Sequence, residues 1–382
     1  MHFPIFSATC SDYWHPMRPQ DLVVSEKCSV KLTDENFKSV IESNDYVFVF
    51  FYSATCPACR RFDPIWEETS CEYDGKKVVF AHLEGNENQG IINAYRVSHT
   101  PTLALFHRDM ATPIKFNGRQ YKESLLFFVK QQSGDPNPGS PAAHFTDALE
   151  ALRFSFWRGT VDNHLEPSLN GFFPTTDSAE YRAFTQAVIA LDGLVRCAEI
   201  ISDTIQEEYN LPAGEPAIVL YRDYDERKSV YEGPWDAKAI EEWARIREHP
   251  SVGFADEQHL MQYHRKEGIL VHMLVDKESV GGDWNAFQDF VFQEMAVPIF
   301  SNGIMKRGTF TIIFSDGEEN KKWLKTMAPR GDSLPVALLI DFKTKYQYQP
   351  RKPLSMDTIA SDIVAFVNDY SLGLATPLED EL

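Results

Sequence analysis

The order of strands and helices repeats three times along the chain, and each repeat contains a late strand that begins directly after a proline. These prolines lie in the dipeptides Thr100-Pro101, Glu215-Pro216 and Leu334-Pro335. The repeat length is therefore roughly 110–120 residues. Alternating strands and helices over such a length predict a sheet covered by helices. We predict an α/β protein of three similar domains in tandem, each a central mixed β-sheet flanked by helices.

Composition shifts along the chain place the domain bounds. Residues 1–24 contain scattered prolines without periodicity, and they lack the basic start and long apolar core of a signal peptide. Residues 133–141 are dense in Pro and Gly, which is typical of a linker. The predicted segments are a loosely ordered leader at 1–24, a first domain at 25–133, a linker at 134–141, a second domain at 142–249, a third domain at 250–373 and a tail at 374–382.

The clearest single element lies in the first domain. Tyr46–Tyr52 is a continuous apolar run, which predicts a strand buried on both faces. A helix over 34–43, capped by Thr33, is predicted just before it. The other elements predicted here are strands at 29–33, 77–83 and 102–107 and helices at 60–69, 89–95 and 123–132. Those predicted in the later domains are strands at 171–173, 195–200, 217–222, 268–275, 310–314 and 336–341 and helices at 178–191, 203–209, 237–247, 284–295, 318–326 and 356–370.

The charge of the chain argues against several classes of function. The net charge is −19, whereas a nucleic-acid binder needs clustered Lys and Arg. The sequence has no Gly-rich phosphate loop and no run of 18 apolar residues, so we predict neither a nucleotide site nor a membrane span. Residues 1–133 carry a net charge of −2, residues 134–250 carry −11 and residues 251–382 carry −6. A solvated acidic surface is the simpler interpretation, and a loose Ca2+ buffer is the alternative.

A Cys-Pro-Ala-Cys tetrad (CPAC) follows the apolar strand and opens the next helix. Cys56 is expected at the N-cap and Pro57 at the first helical position, where proline is tolerated because an N–H there has no partner. The free N–H groups and the positive end of the helix favour a thiolate at Cys56. Cys59 lies one turn on, close enough to form a disulfide with Cys56. The pair is therefore predicted to cycle between dithiol and disulfide.

Half of a zinc site is the alternative interpretation of two cysteines at this spacing. A structural zinc site needs two further ligands, and the sequence has no second CxxC and no HxxxH. Redox chemistry without a metal is therefore favoured. A cis Thr100-Pro101 bond would press its loop against the cysteines, and the backbone of Thr100 could then pair with an extended client segment. An ordinary turn proline is the alternative at Pro101.

These residues resemble the catalytic domain of the protein disulfide isomerase family. The resemblance covers about residues 25–133, and it is carried by CPAC after Phe50–Tyr52, by Tyr95–Thr102 and by Phe116–Arg119. Residues 215–219, 231–234 and 334–340 are similar, more weakly, to the family's non-catalytic thioredoxin-like domains. One catalytic domain followed by two non-catalytic ones is similar to the layout of a client-retention member in the endoplasmic reticulum, which has CxxS. The resemblance thus implies three thioredoxin-like domains.

The resemblance also implies a function and its partners. That function is thiol–disulfide exchange on folding secretory proteins, in which Cys56 attacks and Cys59 resolves. Unfolded or partly folded clients are the implied partners, with glutathione or an oxidase as redox partner and no cofactor. The acidic second and third domains would position the client. Arg119 matches the family arginine that lowers the pKa of the second cysteine, and a surface arginine is the alternative.

Departures from the family pattern bear on this chemistry. Pro57-Ala58 stands where the family has Gly-His, which predicts a less acidic Cys56 and a less oxidising disulfide. Phe50 stands where the family has a buried Glu that takes the proton of the second cysteine, and His82 stands where that Glu has its Lys partner. His82 is expected to be structural, with a proton relay as the alternative. If Cys59 resolves slowly, the chain is instead a chaperone or retention factor that holds clients as mixed disulfides.

The C-terminus and the other cysteines bear on the compartment. Glu379–Leu382 reads EDEL and resembles the family's retention tetrapeptide, which predicts the lumen of the endoplasmic reticulum. In an oxidising lumen some of the remaining cysteines can pair, and Cys10 with Cys28 is the simplest pairing by proximity; Cys71 is left open. Cys197 is expected to be a buried thiol in a strand.

Overall fold

The computed structural model describes residues 22–109, 112–156, 166–202, 211–212, 214–255, 263, 268–320 and 333–378. These residues form two compact units, which divide between Ala143 and His144. One five-stranded sheet lies in the first unit and two lie in the second, as far as these residues show. All three sheets have the same strand order, first-third-second-fourth-fifth. The predicted tandem α/β fold is therefore confirmed, while the domain bounds stay a prediction.

The strands repeat not only in order but also in direction. Their bounds are β1 Val30–Lys31, β2 Tyr46–Tyr52, β3 Val78–Glu84, β4 Thr102–His107, β5 Ile114–Lys115, β6 Ala143–Phe145, β7 Ser168–Phe173, β8 Arg196–Ile201, β9 Ala217–Tyr221, β10 Lys228–Val230, β11 Val252–Phe254, β12 Ile269–Val275, β13 Phe310–Asp316, β14 Val336–Asp341 and β15 Tyr346–Tyr348. In each sheet the central strand is parallel to the third strand and antiparallel to the fourth. The carboxyl ends of β2 and β3 therefore meet at one edge of the first sheet.

Helices follow the strands as the repeat predicts. Their bounds are α1 Phe37–Ser43, α2 Pro57–Glu72, α3 Gln89–Ala94, α4 Lys122–Gln132, α5 Ala148–Ser155, α6 Ala179–Leu191, α7 Ala237–Arg247, α8 Trp284–Val291, α9 Val297–Ser301 and α10 Ile359–Ser371. The prediction of one continuous helix over 284–295 is wrong in detail, because the helix changes to a π-turn over Phe292–Ala296.

The start of α1 corrects the prediction of a Thr33 cap. The helix begins at Phe37 and its N-cap is Asn36. Thr33 instead closes the turn before it, since its carbonyl accepts the N–H of Phe37 at 3.0 Å and its hydroxyl accepts that of Asn36 at 3.3 Å. Residues 34–36 therefore form the turn that precedes α1.

The central strand β2 is buried on both faces, as its unbroken apolar sequence predicts. On one face, Phe48 and Phe50 pack with Phe62 and Trp66 of α2. On the other face, alternate β2 residues pack with the α1 side of the sheet. Burial of each large apolar side chain contributes about 1.5–3 kcal/mol, so the buried residues of β2 contribute substantially to the stability of this domain. This packing fixes the position of the strand that ends just before the CPAC tetrad.

Short edge elements escaped the sequence analysis. The strands β5, β6, β10, β11 and β15 contain two or three residues each, too few to show a period of two. Helix α5 was missed as well. The helix predicted at 203–209, most of that at 318–326, most of the leader and the EDEL tetrapeptide lie outside the described residues.

The predicted pairing of Cys10 with Cys28 is wrong. Cys28, just before β1, forms a disulfide with Cys71 in the last turn of α2, 43 residues further along the chain. Their Cα atoms lie 5.0 Å apart, within the range of about 4.4–6.8 Å that a disulfide spans. The fold decides this pairing, because the two cysteines are 43 residues apart in the chain and only the folded domain places β1 beside the end of α2.

Candidate active site

Cys56 lies where β2 passes into α2. It is the N-cap residue, Pro57 is the first helical residue, and the Cys59 N–H donates a hydrogen bond to the Cys56 Sγ at 3.2 Å, as predicted for this turn. Partial burial acts to raise the pKa of Cys56, but hydrogen bonds from the side chain and the backbone N–H of Cys59 outweigh it and lower that pKa. Cys56 is therefore the more easily ionised thiol of the pair.

Cys59 has the opposite environment. Its side chain is 0% exposed and packs among the aromatic residues of the α2 core. Burial, followed by the hydrogen bond with Cys56, raises the pKa of Cys59 to about 12. The two thiols are thus chemically distinct: one is accessible and acidic, and the other is buried and protonated at neutral pH.

The Thr100–Pro101 peptide bond is cis, as predicted. Its loop borders the cysteines, since the Cys56 thiol donates to the Thr100 carbonyl at 3.5 Å. The Thr102 hydroxyl donates to the His99 carbonyl at 2.7 Å and holds the loop in place. Three of the predicted site residues, Cys56, Cys59 and Thr100, are therefore brought together, and Pro101 is buried beside them.

Glu84 is a residue of this site that the sequence analysis missed. It ends β3 with 6% exposure, and its two carboxylate oxygens accept the backbone N–H groups of Ala54 at 3.0 Å and Glu87 at 2.8 Å. It therefore holds the segment that leads into Cys56. A carboxylate at the end of the strand beside β2 was the available signal, because the carboxyl ends of parallel strands share an edge.

The other candidate residues lie around this centre. Arg119 is half-buried between β5 and α4, where its carbonyl accepts the Tyr121 N–H at 2.9 Å, and its role at Cys59 stays a prediction. His82 is paired with Phe50 in the sheet register, and its Nδ1 lies 2.8 Å from the Ser29 hydroxyl. That hydrogen bond favours a structural role for His82.

His82 makes a prediction about stability and pH. Burial, with a contribution from the charge of Lys31, lowers the pKa of His82 to about 4. Between about pH 6.5 and pH 4 the unfolded chain therefore binds a proton that the folded chain does not, so stability falls as the pH falls. From pH 7 to pH 4.5 we expect His82 to cost the first domain about 2–3 kcal/mol, a loss that His82→Asn removes.

Hydrogen exchange of the β2 and β3 amides, corrected for intrinsic rates, measures this loss at the two pH values. Carboxyl groups titrate in both proteins, so the difference between the wild type and His82→Asn isolates the imidazole. Equal pH dependence of the two proteins would contradict the prediction.

Two other features are absent from the described residues. Within those ranges, no group of three or more His, Cys, Asp or Glu side chains is arranged to hold a metal ion. None of the helices in the same ranges combines the length and the apolar character needed to cross a bilayer.

Two family models match the chain. One, described as Thioredoxin, matches residues 28–131, the part that carries Cys56 and Cys59. The other, described as Thioredoxin-like domain, matches residues 173–369, just over half of the chain.

Similar proteins and structures cover most of the chain. The protein disulfide-isomerase of Drosophila melanogaster is 25% identical over 341 residues, which is 88% of this chain and 63% of that protein, so the chain spans less than two thirds of that relative. Endoplasmic reticulum resident protein 44 of Mus musculus is 24% identical over 352 residues, which is 90% of this chain and 79% of that protein. The structure of the zinc-bound form of human ERp44 has 19% identity, a TM-score of 0.43 and coverage of 92% of this chain and 98% of that one. Because one of these family models covers more than half of the chain, the chain belongs to the thioredoxin-like family, and it is similar along 88–90% of its length to a protein disulfide-isomerase and to endoplasmic reticulum resident protein 44.

Proposed function

We propose that this protein is a thiol–disulfide oxidoreductase that acts on folding secretory proteins. The observation that supports it best is the asymmetry of the two thiols. Cys56 stands at the start of α2 with a lowered pKa, and Cys59 lies buried behind it with a raised pKa. An attacking thiol needs a low pKa, whereas a resolving thiol must be protected until the mixed disulfide has formed.

The proposed exchange has two steps. The Cys56 thiolate attacks a client disulfide, so that a mixed disulfide forms and one client sulfur leaves as a thiolate. Cys59 then attacks the Cys56 Sγ, which releases the second client sulfur and leaves the Cys56–Cys59 disulfide. The client gains two electrons, and a thiol such as glutathione restores the dithiol. In the opposite direction the disulfide oxidises a client dithiol, and an oxidase restores the disulfide.

Client binding is proposed at the cis-proline loop. The Thr100 carbonyl lies 3.5 Å from the Cys56 Sγ, so a client segment that pairs with the backbone of Thr100 would carry its disulfide to Cys56. Pro101 lines the same place, and Arg119 is proposed to ease the ionisation of Cys59 during resolution.

The lumen of the endoplasmic reticulum is the proposed compartment. The Cys28–Cys71 disulfide lies outside the CPAC pair, and structural disulfides persist in oxidising compartments. A relative named endoplasmic reticulum resident protein 44 supports the same location.

A second candidate function is that of a chaperone or retention factor that holds clients as mixed disulfides. It is favoured by one observation, the raised pKa of Cys59 beside a fully buried Phe50 that cannot accept a proton. A resolving thiol that stays protonated would leave the mixed disulfide intact.

The lifetime of the mixed disulfide distinguishes these functions. The reduced full-length protein is mixed with a fluorescent peptide disulfide, and the reaction is quenched with acid at intervals. We expect the wild type to release the peptide within seconds at pH 7, and Cys59→Ser to hold it at least about 100-fold longer, because serine cannot attack a disulfide. If the wild type holds the peptide as long as Cys59→Ser does, the retention function is correct and the oxidoreductase is not.

A further inference from the structure

Resolution by Cys59 requires a base that accepts its proton. The thiol is 0% exposed, and its pKa is about 12, so only about one molecule in 10^5 carries the thiolate at pH 7. Water does not reach the sulfur in this conformation. A carboxylate inside the domain would give the proton a place to go while the sulfur attacks, which is general-base catalysis.

Three ionisable groups of the first domain are unsuited to accept the proton of Cys59. Burial, together with nearby acidic groups, raises the pKa of Tyr52 to about 12, so it holds its own proton. His82 is engaged with Ser29, and its pKa of about 4 makes it a weak base. Glu84 already accepts backbone N–H groups on both carboxylate oxygens, so its side chain is engaged in holding the segment that leads into Cys56.

Asp63 has the placement that the other groups lack. It lies four residues after Cys59 on α2, so the two side chains share one face of the helix with Cβ atoms about 5–6 Å apart. The Asp63 Oδ1 is buried, and no donor among the described residues forms a hydrogen bond with it. A buried carboxylate oxygen without a donor is costly, and a catalytic role is one explanation for such a group; within the described ranges, this oxygen is free of any donor that would compete with a proton.

Burial and a nearby charge raise the pKa of Asp63 toward neutral pH. Burial raises the pKa of Asp63 to about 6, and the negative charge of Glu67, one turn further on α2, adds to this. From β2, Tyr52 is close enough for Asp63 to raise its pKa, and Glu84 and Glu87 act on the same phenol. A carboxyl group with this pKa is ionised at pH 7 and is a stronger base than an ordinary aspartate.

We propose that Asp63 is the catalytic base that accepts the Cys59 proton during resolution, in place of an acceptor on β2. This inference rests on the proposed function. The Cys59 Sγ–H transfers its proton to the Asp63 carboxylate, the new thiolate attacks the Cys56 Sγ, and the bond between Cys56 and the client sulfur breaks. The client leaves as a thiolate and takes up a proton from Asp63 or from water, so protons and electrons balance.

The test is the pH profile of peptide release in the mixed-disulfide assay, with the full-length protein. For the wild type we expect a rate that rises with an inflection near pH 6 and is then level to about pH 9. For Asp63→Asn we expect a rate about 100-fold lower at pH 7 that rises tenfold per pH unit, because the thiol must then ionise unaided. Asp63→Glu restores the inflection, which a purely structural role of the side chain would not produce.

Glu67→Gln is the matched control, since it removes a neighbouring carboxylate from the same helix. Glu67→Gln should keep the rate of peptide release above pH 7 within twofold of the wild type and move the inflection of the profile to lower pH. If the inflection did not move, the proposal would be overturned, even if Asp63→Asn failed to fold. A pH profile of Asp63→Asn equal to that of the wild type also overturns the role of Asp63. In that case the oxidoreductase function still holds, provided that the wild type resolves the mixed disulfide within seconds. If the wild type does not resolve the mixed disulfide, the proposed function fails and the role of Asp63 fails with it.

Discussion

Replacing Cys56 by serine should reduce the rate of insulin reduction by at least about 1000-fold, because a hydroxyl neither ionises at neutral pH nor forms a disulfide. The lowered pKa of Cys56 and its place at the start of α2 are the reasons for proposing it as the thiol that attacks the client. Cys59, which is 0% exposed, cannot substitute for it. Turbidity of insulin in the presence of glutathione measures the rate.

Cys197→Ala is the matched control for this prediction. It removes another thiol, 1% exposed in β8 of the second domain, and should leave the rate of insulin reduction within twofold of the wild type. Retained turnover in Cys56→Ser would contradict the proposed function, since the other free thiols of the described residues, Cys59 and Cys197, are buried. Loss of turnover in Cys56→Ser, with turnover kept in Cys197→Ala, would separate this protein from a purely structural acidic Ca2+ buffer.

Loss of the Cys28–Cys71 disulfide should lower the free energy of unfolding of the first domain by about 4 kcal/mol, through the added entropy of the unfolded chain. The disulfide closes a loop with a sequence separation of 43 residues. The double variant Cys28→Ala, Cys71→Ala should therefore exchange its β2 and β3 amides about 1000-fold faster than the wild type.

The single variants make this prediction specific. Cys71 is exposed, so its side chain contributes little to stability apart from the disulfide. If no disulfide formed, Cys71→Ala would hardly change the free energy of unfolding. With the disulfide, Cys28→Ala and Cys71→Ala should each destabilise as much as the double variant does, because either change breaks the same bond. Small and additive effects would show that the bond does not stabilise the domain.

The sequence-based predictions succeeded where a signal is local. Tyr46–Tyr52 needs only its own unbroken apolar run to be recognised as a strand, and its bounds agree with the structure. The position of Pro57 after Cys56 is enough to place the N-cap of α2. Helix α1 shows the limit of such signals, because Thr33 and Asn36 can both cap a helix and only the turn between them decides which one does.

The candidate site could be predicted only in part for the same reason. Cys56 and Cys59 are three residues apart on the chain, and a proline before a later strand can be recognised in the sequence without knowledge of the fold. Glu84 and Asp63 show no such pattern. The proposed role of each depends on the burial of its carboxylate and on whether its oxygens accept hydrogen bonds. Neither property can be recognised in a run of neighbouring residues.

The sequence by itself determined the threefold order of strands and helices, the position of the cysteine pair at the start of α2 and the proline that precedes β4. Each of these follows from residues close together in the chain. Only the tertiary structure decided that Cys28 bonds with Cys71, that Thr100 meets Cys56, and that the pKa of Cys59 is raised while that of Cys56 is lowered. Disulfide pairing and pKa values depend on distance and burial in space, which arise only when the sheet brings distant segments together.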